Sequence, residues 1–193
     1  MTFYYRDLVL DADFNVYSPA EDSILLADSI VVDDGERVLD VGTGTGIIAL
    51  SAAGKAGYVL GVDVDPAAVE SARRNAMRNR IINAEFMVSN LFENVSGKFD
   101  VVAFNPPYLP SKKVKDKAVD GGGKGRKLIE EFIDKVGEYL NPDGTVFLLV
   151  SSLNDVDYVK KSFAEKGFKT ESKAEKKLFF ETLTVLSAKK KID

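Results

Sequence analysis

The chain has 193 residues, 45% hydrophobic and 29% charged, so we expect one globular domain over residues 1–193 with no membrane span. It contains no cysteine and no histidine, which excludes disulfides, thiolate nucleophiles, Ser-His triads and metal sites built on either residue. The formal net charge of −4 argues against a generic grip on nucleic acid, and the lack of a signal-peptide pattern makes the cytoplasm the predicted location.

The first predicted elements are an extended segment and a helix. Residues 1–16 mix aromatic and β-branched residues, which predicts an N-terminal extension with a turn that precedes the main fold. Ser18, Pro19 and Glu21 have the spacing of a capping box. This spacing predicts a helix from about residue 19 to Val31, with Ser18 as its N-cap.

Strands and helices then alternate along the chain. Strands are predicted at Arg37–Val41, Tyr58–Asp63, Ala84–Ser89, Phe99–Phe104, Thr145–Val150, Phe168–Glu171 and Phe179–Leu186. Helices are predicted at 47–53, 66–79 with Asp65 as its cap, 125–140 and 156–166, and Pro142-Asp143-Gly144 predicts a turn before the fifth strand. The pattern predicts an α/β fold with a seven-stranded, mostly parallel sheet, an antiparallel last strand and helices on both faces.

A glycine-rich loop joins the first predicted strand to a helix. It contains Gly42, Gly44 and Gly46 directly after Asp40, a spacing that lets a ligand approach the backbone but differs from that of a dinucleotide pyrophosphate site. Asp63 ends the next strand, where an acid can accept hydrogen bonds from both ribose hydroxyls of a nucleoside. Asp40 either caps the loop or faces a cationic amino-acid ligand.

The fourth strand ends in the sequence Asn105-Pro106-Pro107-Tyr108. Two prolines remove two backbone donors and end the strand, so Asn105 and Tyr108 are expected at a rigid tip on the ligand side of the sheet. The alternative is a plain turn in which Asn105 bonds its own backbone. The glycine-rich loop over 111–125 follows, and we expect it to act as a lid.

These motifs together resemble class I S-adenosyl-L-methionine (AdoMet)-dependent methyltransferases that act on a planar nitrogen. The sequences Val-Tyr-Ser-Pro-Ala-Glu-Asp-Ser at 16–23 and Gly-Gly-Lys-Gly-Arg at 122–126 resemble the HemK-like protein glutamine-N5 methyltransferases, in the short archaeal and eukaryotic branch. The resemblance covers residues 16 to about 187. It implies the class I Rossmann-like fold, AdoMet as cofactor with S-adenosyl-L-homocysteine as product, and a glutamine in a Gly-Gly-Gln sequence of a class 1 translation release factor as substrate.

The same resemblance implies roles for individual residues. Cofactor contacts fall on Ser23, Asp40 and Gly42 around the methionine part, Gly44 in the loop, Asp63 at the ribose, Asn90 and Leu91 at the adenine, and Asn105. The substrate amide is expected to contact Asn105, the Pro106 carbonyl, Pro107 and Tyr108, with Asn105, Pro106 and Tyr108 as the catalytic set. Ser23 replaces the usual threonine and Asn90 the usual aspartate, so weaker adenine binding is expected.

A partner is also predicted. In the usual strand order of this fold Ala84–Ser89 lies at a sheet edge, and it carries few of the charges or prolines that guard edges. Strand addition by a small zinc-binding activator protein, which the resemblance implies, is expected there, and lysine at Phe86 or Met87 should block it without unfolding the domain. The alternative is that a helix or the N-terminal segment covers this edge.

Three other functions remain open at this point. Methylation of adenine N6 or guanine N2 uses the same Asn-Pro-Pro-Tyr chemistry on an extruded base, and the lysines between 112 and 117 favour it although the net charge does not. Methylation of a protein lysine requires a base, for which the sequence offers no candidate. A domain that binds AdoMet without turnover is the non-enzymatic alternative.

Overall fold

A seven-stranded sheet forms the centre of the molecule. The computed structural model describes residues 1–13, 15–107 and 126–191. Strands β1 (Thr2–Tyr5) and β2 (Leu8–Asp11) form a separate hairpin, and the sheet contains β3 (Arg37–Val41), β4 (Tyr58–Asp63), β5 (Ala84–Val88), β6 (Phe99–Phe104), β7 (Leu140–Ser151), β8 (Phe168–Lys177) and β9 (Thr182–Lys190). Their order is β5-β4-β3-β6-β7-β9-β8, and β9 is antiparallel to both of its neighbours. The predicted α/β sheet with an antiparallel last strand is confirmed.

Helices cover both faces of the sheet. They are α1 (Glu21–Ser29), α2 (Ile47–Ala52), α3 (Pro66–Arg78), α4 (Lys127–Val136) and α5 (Val156–Glu165), with a short 3₁₀ helix at Ser152–Asn154. Helices α1 to α3 contribute to one apolar cluster, and α4 and α5 contribute to a second cluster on the opposite face. In the described ranges, no helix is long and apolar enough to cross a membrane.

The predicted start of α1 is wrong. The N-cap is Ala20, whose backbone is extended, and no side chain caps this helix. Because the chain remains extended up to Ala20, the helix begins at Glu21, which is too late for Ser18 to reach its first turn. The predicted cap of α3 is confirmed, since the Asp65 side chain accepts a hydrogen bond from the Ala67 N–H at 2.9 Å.

The predicted turn before the fifth parallel strand is part of β7 instead. Leu140 pairs with Phe99 and Thr145 pairs with Val101, so three extra residues bulge out of β7 between the paired positions. Gly144 lies in this bulge, where a Cβ atom would come within 2.8 Å of the Leu140 side chain. Helix α4 accordingly ends at Val136, four residues earlier than predicted, because Leu140 already belongs to the sheet.

Strand β5 lies at the sheet edge, as predicted. The Asn83 carbonyl accepts a hydrogen bond from β4, and the Ser89 N–H donates one to β4. The backbone N–H and C=O groups of the even-numbered residues between them therefore face outward, away from β4. Two of these outward carbonyls are already bonded within the chain, that of Phe86 by Arg73 Nη2 at 2.6 Å and that of Val88 by Asn94 Nδ2 at 3.0 Å. Neither a helix nor the N-terminal hairpin pairs with this edge in the described part of the chain.

The expectation that lysine is tolerated at Phe86 is wrong. The Phe86 side chain is 5% exposed and belongs to the apolar cluster under α2 and α3. Its ring fills the space above Gly61 of β4, where a Cβ atom would come within 2.5 Å of the ring. A charge at this position would be buried without a partner.

The N-terminal hairpin is bound to α3 by two side-chain amides. Asn79 accepts from the Val9 N–H and donates to the Val9 carbonyl, both at 2.9 Å. Asn75 makes the same pair of bonds with Asp11, at 2.8 and 3.0 Å. The two amides therefore replace a neighbouring strand for β2, and they direct the following residues toward the carboxyl ends of the parallel strands.

Candidate active site

A cavity of about 480 Å³ opens at the carboxyl ends of β3, β4 and β6. Its walls come from six segments and from Leu128 of α4. The segments are residues 15–17 after the N-terminal hairpin, the start of α1, the glycine loop with the start of α2, residues 63–68 from the end of β4, residues 89–91 after β5, and residues 104–107. The predicted site residues that line it are Ser23, Gly42, Gly44, Asp63, Asn90, Leu91, Asn105, Pro106 and Pro107. Tyr108 and the predicted lid over 111–125 lie outside the described residues.

Asp40 lies behind the cavity wall rather than on it. It is fully buried, and its Oδ2 accepts hydrogen bonds from Thr43 Oγ1 at 2.7 Å and from the Ala49 N–H at 3.1 Å. Its Oδ1 is buried and has no hydrogen-bond partner within the described ranges. Asp40 therefore joins the glycine loop to α2, which is the loop-capping alternative of the sequence analysis.

Burial also changes the protonation of Asp40. The pKa of this carboxyl rises from 3.8 to about 7, chiefly through loss of hydration; the bonds from Thr43 and Ala49 oppose the rise, and the nearby charge of Asp63 adds to it. The folded protein therefore binds more protons than the unfolded chain between these two pKa values. The contribution of Asp40 to stability therefore falls as the pH rises through this interval.

We expect Asp40→Asn to become more stable relative to the unsubstituted protein as the pH rises. The amide cannot ionise, so the variant lacks the charging cost, and the difference in unfolding free energy should grow by about 2 to 3 kcal/mol between about pH 5 and pH 8. Urea unfolding of both proteins at the two pH values measures it. Asp34→Asn is the control, because Asp34 is exposed and lies just before the amino end of β3. If the unfolding free energies of Asp40→Asn and the unsubstituted protein differed by the same amount at both pH values, the prediction would be contradicted.

Asp63 holds the glycine loop from the end of β4. Its Oδ2 accepts from the Gly44 N–H and its Oδ1 from the Asp65 N–H, both at 3.0 Å. Gly44 has a positive φ of 54°, which turns this N–H toward the carboxylate. Each carboxylate oxygen retains acceptor capacity, so two further donors can bind from the cavity side. Burial raises the pKa of Asp63 as well.

Asn90 and Leu91 form the wall that follows β5. The Asn90 side chain is exposed, and its Nδ2 donates to Glu93 Oε1 at 3.0 Å. This bond occupies the amide nitrogen and leaves Oδ1 as the acceptor for a ligand amino group. Leu91 is buried and has a φ of 48°, a left-handed conformation uncommon for leucine.

Asn105 meets a carboxylate that sequence reasoning did not assign. Its Nδ2 donates to Asp22 Oδ2 at 3.1 Å and lies 3.5 Å from Ser23 Oγ. Its Oδ1 is buried and lacks a hydrogen-bond partner among the described residues. Asp22 stands at the start of α1, within the stretch interpreted as a capping box, and nothing in that stretch indicates a contact 83 residues away.

The comparisons with known proteins agree with one another. The model of the family described as "Methyltransferase small domain" matches residues 12–181. A putative protein N5-glutamine methyltransferase of Methanocaldococcus jannaschii is 43% identical over 180 residues, which cover 90% of this chain and 91% of the relative. The methyltransferase HEMK2 of Homo sapiens is 28% identical over 190 residues, which cover 89% of this chain and 88% of that protein.

A solved structure shares the fold. One chain of the E. cuniculi Mtq2-Trm112 complex, which is described as responsible for methylation of the eRF1 translation termination factor, is 27% identical and superposes with a TM-score of 0.76. The match covers 92% of this chain and 100% of that one. The predicted methyltransferase fold and the predicted family resemblance are confirmed. The chain therefore belongs to the methyltransferase small domain family, and its relatives over nearly the full length include protein N5-glutamine methyltransferases.

Proposed function

We propose that this protein transfers a methyl group from AdoMet to the side-chain amide of a glutamine in a class 1 translation release factor. One observation carries the proposal: at the cavity wall, the amide nitrogen of Asn105 is bonded to Asp22, and its buried Oδ1 has no hydrogen-bond partner among the described residues. A primary amide has two N–H donors that suit such an acceptor. The relatives named as glutamine methyltransferases, and the neighbour described as acting on eRF1, support the same substrate. We accordingly propose the cytoplasm as the place of action.

The residues that line the cavity fit AdoMet. Asp63 offers an anionic acceptor for the two ribose hydroxyls, the Asn90 amide oxygen and the Leu91 side chain suit the adenine, and Ser23 with the backbone at Gly42 suits the methionine part. Asp40 holds the glycine loop in place from behind. We propose these roles for the binding residues; the cavity of about 480 Å³ is within the range of small-molecule sites.

The chemistry is a direct displacement at carbon. AdoMet supplies an electrophilic methyl group on a positively charged sulfur, which becomes the neutral thioether of S-adenosyl-L-homocysteine. The glutamine nitrogen forms the new N–C bond as the S–C bond breaks, and the nitrogen then releases one proton to water. Because the lone pair of an amide is delocalised, the nitrogen must be held in line with the methyl carbon. We propose that Asn105 Oδ1 and the Pro106 carbonyl do this by accepting hydrogen bonds from its two N–H groups.

Acceptor selectivity tests the proposal. With labelled AdoMet, the enzyme should methylate a purified release factor and a peptide that contains Gly-Gly-Gln, because only a side chain of that length brings its amide to Asn105. A Gly-Gly-Asn peptide is one methylene shorter and should react about 100-fold more slowly, since a misplacement of about 1 Å costs that much. Equal transfer to both peptides, or preferential transfer to a lysine peptide, RNA or DNA, would refute the assignment.

We further propose that a small activator protein, zinc-binding by the family resemblance, adds a strand to β5. The Mtq2-Trm112 complex supports such a partner, and the outward N–H groups of β5 have no strand opposite them in the described part of the chain. A strand added here would pair with these N–H groups and displace Arg73 and Asn94 from the two carbonyls that they cover.

Val88→Pro tests this partner site. Val88 is 42% exposed and even-numbered in β5, so proline removes an outward N–H without removing a donor to β4. The isolated variant should unfold at nearly the same denaturant concentration as the unsubstituted protein, and co-purification with the activator should be lost. Val88→Thr, which keeps the N–H, is the matched control and should bind. Normal binding by Val88→Pro would place the interface elsewhere.

A further inference from the structure

The buried carboxylate of Asp22 is the least explained polar group near the cavity. It is 3% exposed and accepts four hydrogen bonds from residues within the described ranges. Oδ2 accepts from Tyr17 OH at 3.0 Å and from Asn105 Nδ2 at 3.1 Å, and Oδ1 accepts from the Ser23 N–H at 2.6 Å and from Ser23 Oγ at 3.2 Å. None of the ion pairs formed within the described ranges involves Asp22. Among the described residues only neutral groups donate to this buried acid, and that arrangement calls for a reason.

The chemistry of the Asn105 amide supplies that reason. An amide side chain can turn over with little change in shape, which exchanges its acceptor oxygen for its donor nitrogen. A carboxylate accepts hydrogen bonds and cannot donate one, so next to Asp22 only the orientation with Nδ2 toward the acid is favourable. In that orientation Oδ1 points away from Asp22 as an acceptor. Turned over, Asn105 would present N–H groups to a substrate that itself offers N–H groups.

We propose that Asp22 is a positioning residue that fixes the orientation of the Asn105 amide and thereby makes the site specific for an N–H donor. The proposal rests on the function proposed above and adds to it the residue that sets this polarity. The charge of Asp22 acts in the same direction, because a carboxylate bonded to the amide N–H strengthens the amide oxygen as an acceptor. The other three bonds, from Tyr17 and Ser23, hold the carboxylate itself in place.

Exchanging the two residues is the decisive activity test. Asp22→Asn allows Asn105 to turn over and should lower kcat by about 100-fold, in the range found for the loss of one oriented group. Asn105→Asp places two carboxylates against each other and should be at least as poor. The double variant Asp22→Asn, Asn105→Asp restores one donor against one acid, with an acceptor oxygen left for the substrate. It should exceed the better of the two single variants by at least about tenfold.

A second readout does not depend on methyl transfer. In nuclear magnetic resonance spectra of the protein without ligands, the Asn105 side-chain N–H protons should resonate downfield because they donate to a carboxylate. This shift should disappear in Asp22→Asn. Asp28→Asn, the same substitution near the other end of α1, should leave both the resonance and kcat unchanged. Calorimetric titration with AdoMet should give nearly the same Kd for Asp22→Asn as for the unsubstituted protein.

The outcomes separate the two proposals. If the unsubstituted protein does not methylate the Gly-Gly-Gln peptide but the Asn105 resonance responds to Asp22→Asn, then the proposed function is wrong and the hydrogen bond between Asp22 and Asn105 is confirmed. If the unsubstituted protein is active and Asp22→Asn retains kcat within about threefold, the positioning role is overturned. The role is equally overturned if the exchanged double variant is no better than the single variants, or if the resonance does not move.

Discussion

Asn105→Ala is expected to lower methyl transfer by about 10³-fold or more while AdoMet still binds with nearly its normal Kd. Alanine removes the oxygen that accepts from the substrate amide, and the Pro106 carbonyl alone cannot fix the direction of the nitrogen lone pair. The cofactor pocket keeps Asp63, the glycine loop and the wall after β5, none of which bonds the Asn105 side chain. Single-turnover rates with labelled AdoMet, together with calorimetric titration, measure the two effects separately.

The control for this variant is Asn141→Ala. Asn141 lies at the opposite end of the sheet, where its Nδ2 bonds Asp100 Oδ1 at 2.6 Å. Its loss should cost some stability and leave the transfer rate intact. Near-normal turnover by Asn105→Ala would mean that the amide is held by other groups and that the mechanism proposed for a planar nitrogen is wrong.

Asp63→Ala is expected to show the reverse behaviour, with AdoMet binding weaker by at least about 100-fold. Each hydrogen bond to a charged group contributes about 1.5 to 3 kcal/mol, and two ribose hydroxyls would lose such an acceptor. The substitution also frees the Gly44 N–H, so the glycine loop loses its attachment to the end of β4. Calorimetry gives the Kd, and transfer at saturating AdoMet should recover most of the rate.

Asp34→Ala provides the matched control for Asp63→Ala. It removes an exposed acid near the amino end of β3, away from the cavity, and should change neither the Kd nor the rate. An Asp63→Ala protein that binds AdoMet with an unchanged Kd would show that the ribose lies elsewhere in the cavity.

The three central strands were predictable because each is a short, mostly apolar run that ends at or just before a glycine, a proline or an acid. Arg37–Val41, Tyr58–Asp63 and Phe99–Phe104 have the predicted bounds. The last two strands were predicted less well: the polar β8 continues past the predicted end at Glu171 to Lys177, and β9 begins at Thr182 rather than at Phe179. Elements with competing signals were predicted less well. The bulge at Pro142-Asp143-Gly144 has the composition of a turn. Only the pairing of the flanking residues Leu140 and Thr145 with β6 shows that the strand has already begun.

The site was predictable where one local motif supplies both the residue and its position. The glycine loop, Asp63 and Asn105 belong to this class, and they line one cavity or support its wall. Asp22 and the amides of Asn75 and Asn79 do not, because their partners lie 83, 64 and 70 residues away in the chain. Contacts across such separations leave no periodic pattern in the sequence.

The amide bonds of Asn75 and Asn79 have a consequence for the order of folding. The N-terminal hairpin leaves the ribosome before α3, and its partners on α3 follow 64 to 70 residues later, a delay of roughly 3 to 14 s at ordinary rates of synthesis. A two-stranded hairpin is at best marginally stable alone, so β1 and β2 must wait for α3. Residues 15–17 of the cavity wall come shortly after β2, and the cavity is therefore completed only after a segment made before α3 has packed against the finished helix.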